Sequence, residues 1–220
     1  MYELEYLQTY TGELDPRDLN LAAYFNSIEK HISQTEYQLK IRHPFAQNLK
    51  HITIKILNEN IPHLIGLSKT HHLNLPITQP AIIFQKVKQQ EENWTLQELI
   101  AADEGWFSEC KGKLIGILFL YQVMNQIQTT TYATDPFKAS KDHKLYRRIE
   151  RDEVTYIFIK NIEGASFSFE FSATKSSPHI FIPRSLKLND PIEQYLTPIE
   201  IETIEKLRIK APKPFKKRKK

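Results

Sequence analysis

One cysteine in 220 residues leaves Cys110 without a partner inside the chain, which excludes an internal disulfide framework and any multi-thiolate metal site. A reducing compartment follows most simply, and the cytoplasm is the expected location. Glycine is also scarce, at six residues. There is no glycine-rich phosphate loop, no nucleophile elbow and no HExxH pair. Long apolar runs are missing too. The most apolar stretch, Leu114 to Tyr121, lies between Lys113 and Gln122, far short of the ~20 residues that cross a bilayer. It predicts a buried helix, and no membrane partner is expected. Met1-Tyr-Glu-Leu-Glu-Tyr has no basic region followed by an apolar run, so no secretory signal is expected.

Enough apolar material is present for a packed core: 40% of residues are hydrophobic and 11% aromatic. The length suits one domain with a short appendage at each end. The expected division is a helical segment over 1–36, an α+β domain over 37–207 and a basic tail over 208–220. The net charge of +4 conceals an asymmetry. Eight basic residues and no acids fall between Leu207 and Lys220, among them Lys217 and Arg218. The remaining 22 basic residues are outnumbered by 26 acidic ones. Such a tail attracts phosphates in a salt-sensitive, sequence-blind way, or serves only as a solubilising end.

Hydrophobic periodicity predicts a helix from Asp15-Pro16 through Ile32, with apolar residues three and four apart. Tyr37 to Arg42 and Ile52 to Leu57 alternate as half-buried strands do. Helices are expected at about Thr95 to Cys110, where Thr95 and Glu98 form a capping-box pattern, and at about Leu114 to Ile127. The last third turns to period two, in Val154 to Lys160, Ser166 to Ser172 and His179 to Pro183. A closing helix is expected over Pro198 to Leu207. Helices early and strands late predict an α+β fold, with helices packed on an antiparallel sheet of about four or more strands.

Three groups of residues could carry chemistry. The run PHLIGLSKTHH holds His63, Lys69, His71 and His72 around Gly66. Histidine exchanges protons near neutral pH and lysine neutralises phosphate. The same run also reads as a turn packed by Leu64, Ile65 and Leu67, with its histidines merely exposed. These histidines lack an i,i+4 pairing and no carboxylate follows until Glu91, so neither a metal nor a cofactor is expected. The second group is the basic run from Lys138 to Arg151. In it Lys144 and Arg148, and His143 and Arg147, would each share a helix face. A solvated face explains it equally well. The third is the strand from Ser166 to Ser172, with Phe167, Phe169 and Phe171 inward and Ser166, Ser168, Glu170 and Ser172 outward. The outward set suits either a concave binding surface or a plain wet face. Beyond it lie Arg184 and Ser185, where an arginine at a strand end could clamp a phosphate.

At PHLIGLSK, residues 62–69, the chain resembles the phage-type members of the barnase–EndoU–colicin–RelE-like (BECR) ribonuclease superfamily, in particular the fourth phage-encoded group. The resemblance continues at Tyr156 to Ile159 and at Phe181-Ile182-Pro183-Arg184-Ser185, and covers about Tyr37 to Tyr195. It implies a helix-plus-antiparallel-sheet fold and metal-independent RNA cleavage by attack of a 2′-hydroxyl on the adjacent phosphate. The implied catalytic set is His63, Lys69, Arg148, Arg184 and Ser185. Residue type and position, and not the resemblance, make His71, His72, Lys144, Arg147, Ser172 and the tail residues Lys217 and Arg218 the expected RNA contacts. The implied partners are RNA and, for a toxin or mobile-element enzyme, an antitoxin or immunity protein. Where the family pattern has a histidine before the lysine, this chain has Ser68. Two other readings stay open: a non-catalytic nucleic-acid-binding or host-takeover protein with the same fold, and a DNA-acting restriction-type nuclease.

Overall fold

The computed structural model describes residues 2–42, 50–67, 79–134 and 155–209. Seven α-helices occur among them: α1 (Leu4–Thr9), α2 (Leu21–His31), α3 (Asn60–Leu64), α4 (Pro80–Lys88), α5 (Leu96–Ala102), α6 (Glu104–Gly116) and α7 (Leu120–Met124). Eight strands accompany them: β1 (Thr35–Arg42), β2 (Lys50–Ile56), β3 (Thr129–Thr134), β4 (Thr155–Ile162), β5 (Ala165–Thr174), β6 (Ser177–Leu188), β7 (Leu196–Pro198) and β8 (Glu200–Arg208). All eight strands join one sheet in the order β7-β3-β4-β5-β6-β2-β1-β8.

The α+β class stands, but the sheet is mixed and not purely antiparallel. β2 and β6 run parallel, in register only at Thr53 with Ile180 and Ile54 with Phe181. This short seam joins the early β1–β2 hairpin to the later antiparallel run β3–β6. β1, β2 and β4 to β6 match strands expected from the sequence, whereas β3 (Thr129–Thr134) was not expected; the joining of the two halves is a long-range contact with no local signal.

Helices cover one face. The aromatic side of β5 supplies Phe167, Phe169 and Phe171, all buried, and β1 and β2 add Tyr37, Leu39, Ile41, Ile52, Ile54 and Ile56. Gly116 of α6 lies so close to Phe167 that a Cβ there would sit 2.5 Å from the ring, so glycine lets helix and sheet approach. Leu7, Tyr24 and Phe25 from the first 36 residues belong to this same core. At roughly 2–3 kcal/mol for each fully buried large apolar side chain, this face is the main source of stability.

The capping box forms at α5: Thr95 N–H donates to Glu98 Oε2 at 2.9 Å while Thr95 Oγ1 accepts from Glu98 N–H at 3.3 Å. The helix expected over 95–110 is two helices. Asp103 ends α5 in extended backbone and its carboxylate accepts from Trp106 N–H at 2.9 Å, starting α6. A 3₁₀ turn, Ile117–Phe119, separates α6 from α7, and Leu114 to Tyr121 are buried as expected. The early helix is likewise shorter, a 3₁₀ turn at Pro16–Asp18 followed by α2.

The closing helix expected over 198–207 is the edge strand β8. Ile201 and Ile204 both pack against the core, three residues apart, a spacing that imitates a helix face. The cause is a β-bulge: Lys40 pairs with Thr203 but Ile41 pairs with Ile201, so Glu202 is an extra residue and the inward phase shifts.

Candidate functional site

β2 ends at Ile56, and a turn over residues 57–59, held by Leu57 N–H donating to Asn60 Oδ1 at 2.8 Å, starts α3 directly. Ile61, Pro62 and Leu64 turn inward, leaving His63 exposed on this short helix. At Gly66 the backbone adopts φ +82°, and a Cβ there would collide with the Cys110 sulfur. Glycine is required on both counts.

Where α3 packs, β6 bulges. Glu170 pairs with Ser185 and Phe171 with Pro183, so Arg184 is the unpaired extra residue. Pro183, lacking an N–H, is tolerated at such a bulge. Arg184 thus lies within a twelve-residue strand, correcting the expectation of a strand end. Its side chain is exposed, and its carbonyl accepts a hydrogen bond from His63 Nε2 at 2.9 Å. A carbonyl only accepts, so Nε2 carries the proton in this contact. His63, 121 residues away in sequence, is thereby fixed beside Arg184 and Ser185.

Of the other residues predicted from sequence, Ser172 lies two rungs along the same face of β5, paired with Ile182 and Thr155. Lys69, His71, His72, Lys144, Arg147, Arg148, Lys217 and Arg218 lie outside the described residues. Among the described residues, no group of three or more His, Cys, Asp or Glu side chains is placed to hold a metal, and no helix is long and apolar enough to cross a membrane.

The outward face of β5 is not a wet surface. Ser168, Glu170 and Ser172 are all buried, at 0%, 2% and 9% exposure. The Glu170 carboxylate pairs with Lys187 Nζ, which also lies 2.7 Å from Asp190 Oδ2. Burial alone would lower the Lys187 ammonium, but the two carboxylates outweigh it and its pKa is raised. Lys187 and Asp190 were not anticipated as part of this site because Pro183 suggested a strand end, whereas β6 passes through the bulge to Leu188. The period-two pattern continuing through Ser185 and Lys187 was the available signal. The opposite face holds a fully buried lysine. Lys160 Nζ donates to Ile127 O at 3.0 Å and Gln128 Oε1 at 3.3 Å, and burial holds its pKa below the ordinary lysine value.

No protein-family model, no curated protein and no solved structure matches this chain.

Proposed function

We propose that the protein is a metal-independent RNA endonuclease of the toxin or phage and mobile-element kind, with a BECR-like catalytic arrangement. The observation carrying the reading is the contact between His63 Nε2 and the backbone of Arg184, which joins an exposed imidazole to a bulge bearing an exposed guanidinium. Bulges often re-aim side chains beside active sites. In this reading the ribose 2′-oxygen loses its proton to a base and attacks the neighbouring phosphorus; the P–O5′ bond breaks, an acid protonates the leaving 5′-oxygen, and a 2′,3′-cyclic phosphate remains. His63 serves as one of the proton-transfer groups. Arg184 steadies the added phosphate charge, with Lys69 and Arg148 as further cations and Ser185 as a hydrogen-bond donor. Such electrostatic stabilisation is commonly the largest catalytic contribution.

The test is cleavage of single-stranded RNA in EDTA. His63→Ala is expected to lower the rate by at least about 10²-fold, the usual lower end for a lost proton-transfer group, without changing the folding midpoint. A requirement for divalent metal, or full activity in the variant, would overturn the reading.

A further inference from the structure

The face of β4 and β5 turned away from the helices holds more buried polarity than its small apolar cluster explains. That cluster consists of Ile157 and Ile159 from β4 with Ile192 and Leu196 from the chain after β6, with Tyr132 packed against it. The cross-strand neighbours of Ile157 and Ile159 are Glu170 and Ser168. Ser168 and Thr155 are both fully buried, and among the described residues their hydroxyls have no hydrogen-bond partner. A buried unpaired hydroxyl costs roughly 1–3 kcal/mol, so two on one face, flanking a buried carboxylate, call for an explanation.

Residues 189–195 form a strap that crosses this face. It starts at Asn189, whose backbone has φ +50° and which exchanges two hydrogen bonds with Ser166, each 2.8 Å. Asp190 then reaches back to Lys187, and Ile192 inserts over Ile157 and Ile159. Farther on, the Tyr132 hydroxyl donates to Glu193 at 3.3 Å. Pro191, Glu193 and Gln194 are exposed, so Ile192 is the strap's one buried apolar anchor before β7 begins. An open surface groove of about 400 Å³ lies beside the strap, lined by Ser166, Asn189, Asp190 and Gln194.

We infer that the strap is a gate. It lifts about Asn189 to admit single-stranded RNA, and the hydroxyls of Thr155, Ser168 and Ser172 then bind the ribose-phosphate unit next to the scissile bond. The Lys187–Asp190 pair is the latch. Once the strap lifts, Lys187 keeps Glu170 as a partner, so opening does not strand a buried charge. The Thr155 and Ser168 hydroxyls gain the phosphate and ribose oxygens as partners. Ser185, paired with Glu170, connects this subsite to His63 and Arg184. The choice of RNA as ligand rests on the ribonuclease reading; the opening motion of the strap, read by hydrogen exchange, does not.

The experiment compares the parent with Asp190→Asn, which weakens the latch, and Ile192→Ala, which removes the apolar anchor. Amide hydrogen exchange is followed over residues 189–197. Affinity is measured by fluorescence anisotropy with a 2′-O-methyl RNA of about eight nucleotides, which cannot be cut. If opening limits binding, the dissociation constant falls by the same factor as local exchange rises, because apparent affinity scales with the open fraction. A rise of at least about threefold in both, for either variant, supports the gate. Faster exchange with unchanged affinity, unchanged exchange in both variants, or no binding of this RNA by any of the three proteins overturns it. Cleavage of unmodified RNA is read separately. His63-dependent cleavage with strap-independent binding sinks the gate alone, whereas strap-dependent binding without cleavage sinks the ribonuclease reading alone.

Discussion

The two faces of the sheet come from the same strands, yet each holds a lysine by a different physical device, Lys160 buried and Lys187 half-buried. On the helix side, Lys160 sits near the Phe119 ring and gives its protons to a backbone carbonyl and a side-chain amide. On the strap side, Lys187 sits between two carboxylates. The first face is a large apolar core in which one charge is tolerated. The second is a polar strip under a short cover, with charges compensating one another. A core of the first kind is suited to stability, and a compensated polar strip to chemistry or binding.

Phe169→Ala should cost most, about 3–5 kcal/mol, because the ring is fully buried in the helix-covered core. Denaturant unfolding measures it, and a cost under 1 kcal/mol would show that this face is not the main core. Lys187→Met comes next, expected at about 3 kcal/mol because it removes the ammonium that pairs with the buried Glu170 carboxylate. Ile192→Ala should cost less, about 1–3 kcal/mol, since its cluster is small. Thr95→Ala, which removes the cap of α5 and touches neither face of the sheet, should cost about 1 kcal/mol.

The two lysines should also respond oppositely to alkali. Lys187 has a raised pKa in the fold, so its stabilisation is present below the unfolded value near 10.5 and is lost as pH climbs through the folded value above it. Lys160 has a lowered pKa, so the unfolded chain binds more protons just below 10.5, and its contribution improves as pH rises through that window. Chemical denaturation of the parent, Lys160→Met and Lys187→Met between about pH 8 and 11 separates the two slopes. Equal slopes would mean that the faces do not differ in this way.

Much of the first face was readable in the sequence. Alternation in β5 put its three phenylalanines on one side, and the Thr95–Glu98 pattern marked a helix start. Short apolar spacings misled where the backbone bulged, at Glu202, and where Asp103 could both stop and start a helix. The candidate site was legible only in part. His63, Arg184 and Ser185 were singled out by residue type and by the family resemblance, but the strand bearing Arg184 was read as ending at Pro183. That hid the bulge, and with it Lys187 and Asp190.

Composition and periodicity alone determined the α+β character, the inward face of the late strands and the residue types suited to handling phosphate, because those properties depend on neighbours within a few positions. Tertiary structure decided the rest. It joined β2 to β6, packed α3 against the bulge so that His63 meets the Arg184 backbone, and laid residues 189–195 over a strip that alternation alone would leave wet. Each of these depends on contacts between segments far apart in the chain, which local pattern does not encode.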